Sequence, residues 1–156
     1  MRPFALVRTF RELTWRDRAL LVEAAFFLAF ATFAIALLSF RSIGSLASRP
    51  IKGPEPPLQT RLQKIKSVRW AVTACARRVP RYAKCFQQGL AAQFMLQRQG
   101  ISSVLHYGAA PDPQLGLAAH VWVRAGNVDV VGGEIASRFA QLTTFPTQSG
   151  SEPVYP

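Results

Sequence analysis

Residues 81–109 read RYAKCFQQGLAAQFMLQRQGISSVLHYGA, and AAHVWVRAGNVDVVGGE follows at 118–134. In the first stretch Phe86, Leu90, Phe94 and Met95 recur at helical spacing, and Gly100 stands where helices are usually closed. A helix is therefore expected from about Ala83 to Gln99, with Cys85 in its first turn. After it the periodicity changes. SSVLHYG (102–108) and AAHVWV (118–123) have strand composition, separated by a loop over 109–116 that contains two prolines. A turn at Ala125-Gly126-Asn127 and a return over 128–131 complete a hairpin.

Upstream, Leu62, Ile65, Val68, Ala71, Val72 and Cys75 fall three and four residues apart, which predicts an amphipathic helix over 58–78 that stops near Val79-Pro80. Before it, SRPIKGPEPPLQ (48–59) has four prolines and a glycine, a composition that blocks regular hydrogen bonding and reads as a linker. Earlier still, Ala19 to Phe40 is an apolar helix whose only charge is Glu23. Its uncharged run from Ala24 to Phe40 sits at the lower limit for crossing a hydrocarbon layer of roughly 30 Å. A buried or interfacial helix is the alternative to a span. The order helix, helix, strands predicts an α+β fold with helices packed on a small antiparallel sheet. The expected organisation is an N-terminal basic and apolar segment (1–47), a Pro-rich linker (48–60), a core (61–146) and a flexible tail (147–156).

A chain of 156 residues fits one modest domain with an appendage. Nineteen Lys and Arg against eight Asp and Glu give a net charge of +11, which suits nucleic acid, anionic lipid or acidic peptide alike. The basic residues are not interleaved with aromatics as in single-strand binding surfaces, so nucleic acid is not the expected partner. Two cysteines are too few for a disulfide scaffold and have no companion ligands for zinc, so a cytoplasmic, reducing setting with no structural cofactor is expected. The apolar run begins late and lacks a clear small-residue cleavage site, unlike a signal peptide.

A cysteine at a helix N-terminus meets backbone amides and the positive end of the helix dipole, which favour its thiolate. Cys85 is placed so, with Lys84 and Arg81 nearby, and a histidine alongside would complete a pair for acyl transfer. The chain offers two, His106 and His120. His120 lies in a strand from which an imidazole can face the helix terminus, whereas nothing around His106 supplies a second function. Cys75, on the apolar face of the preceding helix, reads as a packing residue.

These residues resemble the transglutaminase-like processing proteins of lasso-peptide biosynthesis. The motif of an arginine, a short spacer, Cys, a helix ending in Gly-Ile and then a His-small-Trp-Val strand is present over about 62–145, and WRDRALLVEA (15–24) is similar to the start of the standalone members. The resemblance implies a transglutaminase or papain-like core and a leader peptidase. Cys85 is then the nucleophile, His120 the general base and acid, and the Cys85 backbone amide part of the oxyanion hole. Family members often carry an Asp a dozen residues beyond the His, and here that position is Gly132. Asp129 is the favoured orienting acid, because a strand holds its side chain, with Glu134 as substitute; a backbone carbonyl or amide side chain is the third option. The implied partners are a lasso-peptide precursor with its leader, a separate leader-recognition protein and a macrolactam cyclase, with membrane contact through 19–40. The resemblance allows an ATP dependence that the residues themselves do not show. A non-catalytic precursor-binding module and a membrane-associated structural protein are the competing readings.

Overall fold

The computed structural model describes residues 13–147 apart from 52, 81, 82 and 115. Four α-helices come first: α1 (Trp15–Leu37), α2 (Phe40–Ala47), α3 (Leu58–Ala76) and α4 (Cys85–Arg98). They are followed by β1 (Val104–Asp112), β2 (Gly116–Ala125), β3 (Val128–Val131), a 3₁₀ turn (Gly133–Arg138) and β4 (Ala140–Phe145). The sheet is antiparallel in the order β3-β2-β1-β4. The α+β architecture expected from the residue pattern is present.

Helix α4 is the axis of the molecule. Every residue from Gly89 to Leu96 is buried, because one side of the helix meets the sheet while the other meets α1 and α3. Small residues permit this. A Cβ at Gly89 would stand 2.6 Å from Val121 Cγ1 on β2, so glycine lets the helix settle on the sheet. Leu21, Ala24, Leu28 and Ala31 of α1 belong to the same apolar core as Ile65, Val68 and Val72 of α3 and Leu105, Val121 and Val123 of the sheet. The segment expected to be an appendage thus shares one core with the rest. Glu23 fastens it further, accepting from Arg98 Nε and Nη2, each at 2.6 Å.

The apolar helix does not run unbroken to Phe40. Leu38 is extended, and the Ser39 side chain caps the amide of Ser42, so a new helix starts at Phe40. The Pro-rich stretch is anchored as well as irregular, since the Glu55 carboxylate accepts from the Ser102 amide at 2.7 Å and pairs with Arg61. Hydrogen bonding from the Ser102 side chain first, then from its amide and from Arg61, holds the Glu55 carboxyl below its ordinary value. The loop expected over 109–116 is mostly strand: β1 runs on through Pro111, whose partner is Leu117. A proline is tolerated there because β4 pairs with β1 only as far as Ala109, leaving that edge without a partner that needs an N–H.

Gln93 holds the layers in register. Its buried carboxamide donates through Nε2 to the carbonyls of Ala47, Ser103 and Phe145 at 3.0, 3.1 and 3.2 Å, and its Oε1 accepts from Ser103 Oγ at 2.8 Å. One side chain therefore joins the end of α2, the approach to β1 and the end of β4. Gln93→Leu keeps the volume but leaves buried oxygens without donors, and is expected to cost about 3 kcal/mol. For a domain of this length that is roughly a 10 °C fall in Tm, read by calorimetry.

Candidate active site

Cys85 is the first residue of α4, and the side chain of the N-cap residue Lys84 makes no capping bond, so among the described residues the first amides face the space in front of them. That space is a cavity of about 230 Å³ bordered by Cys85 and Gln88 of α4, Arg69 and Thr73 of α3, His120, Val121 and Val130 of the sheet, and Gly132 and Glu134 beyond β3. Cys85 and His120 are thus brought to one cavity. No hydrogen bond joins them. Arg81, expected beside the sulfur, lies outside the described residues, and Lys84 precedes Cys85 with an exposed side chain.

His120 lies mid-strand in β2, opposite Gly108. Val121 faces α4, so the imidazole leaves the strand on the other side, where its ring lies 4.9 Å from Phe139 and stacks on Trp122 at 6.1 Å. It still borders the cavity because the pairing of β3 with β2 ends at Val123 and Val131, which opens the strand edge beside His120. Its Nε2 is 2.8 Å from the Gly132 carbonyl. A carbonyl can only accept, so Nε2 donates this bond, and in the neutral ring that tautomer leaves Nδ1 as the acceptor.

Both carboxylates are paired with arginines. Asp129 Oδ1 pairs with Arg124 Nε at 2.9 Å, its partner in the strand register. His120 is four residues further along β2, and the Asp129 carboxyl lies against Gly133, where a Cβ would stand 2.4 Å from its Cγ. The hydrogen bond on the His120 ring thus runs to the Gly132 carbonyl, while Asp129 pairs with Arg124. Glu134 does border the cavity, yet its Oε1 is engaged by Arg69 Nη2 at 3.0 Å, both side chains being more than half exposed. Gly132 itself has φ 75°. A Cβ there would be 2.4 Å from the Val121 carbonyl oxygen, so the position is closed to side chains.

Arg69, Thr73 and Gln88 were not singled out from the sequence. Arg69 and Thr73 are one helical turn apart, as are Cys85 and Gln88 on the next helix, so each pair shares a helix face. What no spacing gives is that the two faces meet. Gln88 Nε2 donates to the Ala83 carbonyl at 2.7 Å, folding the side chain back over the start of α4.

The remaining expected residues lie away from the cavity. His106 stacks on Trp122 at 5.2 Å with rings 2° from parallel, and its Nδ1 bonds Gln141 Oε1 at 2.6 Å. Burial pushes its ring below the ordinary imidazole value, partly offset by that hydrogen bond. Cys75 Sγ donates to the Leu21 carbonyl at 3.4 Å, and burial pushes its thiol up. Among the described residues no three of His, Cys, Asp and Glu gather closely enough to hold a metal ion.

Searches of curated proteins and of solved structures each found no match. A family model described as transglutaminase-like superfamily matches residues 27–144, a stretch that starts inside α1 and ends in β4. Members of that superfamily are commonly cysteine peptidases. With most of its length matched, and both Cys85 and His120 inside the match, the chain belongs to the transglutaminase-like superfamily.

Proposed function

We propose that this protein is a cytoplasmic cysteine peptidase that removes the leader from a lasso-peptide precursor. The observation that supports it most is the meeting of Cys85 and His120 at one cavity, with the imidazole proton held on Nε2 by the Gly132 carbonyl and the lone pair left on Nδ1. That tautomer is the one a general base needs. His120 Nδ1 takes the proton of the Cys85 thiol, and the thiolate attacks the carbonyl carbon of the last leader residue. The amides at the start of α4, that of Cys85 first, receive the oxyanion, with the Gln88 carboxamide as the second donor. The intermediate collapses as the C–N bond breaks, and the amine of the core peptide leaves with the proton from the imidazolium. Water, deprotonated by His120, then releases the leader acid from the thioester.

The site is small and open, and by the resemblance a separate leader-recognition protein presents the precursor while a macrolactam cyclase takes the freed core. The test is mass spectrometry of a lasso-peptide precursor incubated with this protein and its leader-recognition partner. Two fragments whose masses sum to the precursor plus one water are expected. Intact precursor that nevertheless stays bound to the protein would instead establish a binding module, and a product joined to a second amine would establish an acyltransferase.

A further inference from the structure

Helix α1 has two apolar faces, and only one is covered. Leu21, Ala24, Leu28, Ala31 and Ala34 enter the core. On the opposite side Val22, Phe26, Phe30, Phe33 and Leu37 form a stripe, with exposures of 62% at Phe26, 66% at Phe33 and 80% at Leu37. Their spacing of four, four, three and four residues keeps them within about a quarter of the helix circumference, over roughly 22 Å of length. Ala25, Ala29 and Ala36 are the other exposed residues between Val22 and Leu37, so this outer surface presents no hydrogen-bonding side chain. A groove of about 760 Å³ continues the apolar surface past Phe26 to Trp15, itself 80% exposed.

The surroundings of the stripe are basic. Exposed Arg16 lies in the first turn of α1, exposed Arg41 just beyond its end, and exposed Arg77 and Arg78 at the end of α3, where Arg78 borders a second apolar groove against Ala25 and Ala29. The acids of α1 are both engaged, Asp17 by the Thr14 hydroxyl and Glu23 by Arg98. The whole chain carries +11. An uninterrupted hydrocarbon face with cationic borders matches the boundary between acyl chains and anionic headgroups, in which such a helix lies flat and sinks by about 5–10 Å.

We propose that the protein docks on anionic membrane through this outer face of α1, with the helix in the plane of the interface. The helix passes the length and hydropathy criteria for a span. Spanning, however, would strip Leu21, Ala24, Leu28 and Ala31 from a core shared with α3 and α4 and bury the Glu23–Arg98 pair in hydrocarbon. Lying flat costs neither. The docking does not depend on the peptidase reading, so either can fail alone.

The test is co-sedimentation of the full chain with vesicles of equal parts phosphatidylcholine and phosphatidylglycerol, and with phosphatidylcholine alone. Capture by the anionic vesicles, weakened by salt and reversed by alkaline carbonate, is expected. The double variant Phe26→Ser with Phe33→Ser, at exposed positions outside the core, is expected to lower the bound fraction about tenfold or more, since two large apolar groups are withdrawn. Its circular dichroism and Tm should match the parent. Three results overturn the proposal: no capture by either vesicle, capture that resists carbonate, and a variant that loses self-association or a protein partner while its vesicle binding is unchanged.

Discussion

Exchanging Cys85 for Ala should abolish leader cleavage outright, and exchanging His120 for Ala should slow it by about a thousandfold, both without loss of fold. The difference follows from what each group does. Without the sulfur no thioester forms and the covalent route is closed. Without the imidazole a thiolate still forms to the extent that the helix start and solvent permit, so the loss is that of general acid and base catalysis, about 10² to 10⁴. Single-turnover cleavage followed by mass spectrometry measures both. Iodoacetamide gives a second readout that requires no substrate. Cys85 borders an open cavity whereas Cys75 is half-buried, donates to the Leu21 carbonyl and has its thiol pushed up by burial. Alkylation should therefore fall on Cys85, and it should slow in His120→Ala, a change that lost packing at β2 would not produce. Unchanged cleavage in Cys85→Ala would end the peptidase reading.

The residues proposed to carry this chemistry were legible for a local reason. A cysteine at a helix start and a histidine in an aromatic strand each follow from short-range pattern, and the helix and hairpin around them have strong periodicity. What was not legible depends on pairing between distant residues. Strand β4 has the exposure of an edge element, with Thr144 its one buried residue, so it lacks the alternation that marks a half-buried strand. It exists because β1 offers it an edge some 35 positions earlier. The 3₁₀ turn before it has no buried residue at all. The end of α1 at Leu37 was hidden because Leu38 and Phe40 continue the apolar composition across a break made by the Ser39 cap.

The partner of His120 was hidden for a different reason, since it belongs to the backbone. A carboxylate is the usual side-chain partner of such an imidazole, and Asp129 stands on the returning strand. A register shift between Val123 and Arg124 sets it across from Arg124 instead, with which it forms an ion pair. Counting twelve residues from His120, to the position where members of the resembling family often carry Asp, lands on Gly132. It is the carbonyl, and not a side chain, that meets the ring there.

That substitution of backbone for carboxylate makes Gly132→Asp an informative replacement, and it is expected to damage the protein in spite of restoring the acid. Two costs fall together. Aspartate at φ 75° is strained by about 1 kcal/mol or more, and its Cβ would have to occupy a point 2.4 Å from the Val121 carbonyl oxygen. That oxygen belongs to the central part of β2, next to His120, and cannot withdraw as a flexible side chain would. A loss of about 3 to 5 kcal/mol is expected, measured by urea unfolding. Because the clash is with Cβ, Gly132→Ala should lose nearly as much, which separates backbone crowding from any effect of the new charge. Residual folded Gly132→Asp should cleave more slowly than the parent, since relieving the contact moves the Gly132 carbonyl away from Nε2 and frees the imidazole to turn. A Gly132→Asp protein as stable as the parent and faster in turnover would mean that the chain tolerates a carboxylate at this point and that the carbonyl is not what orients His120.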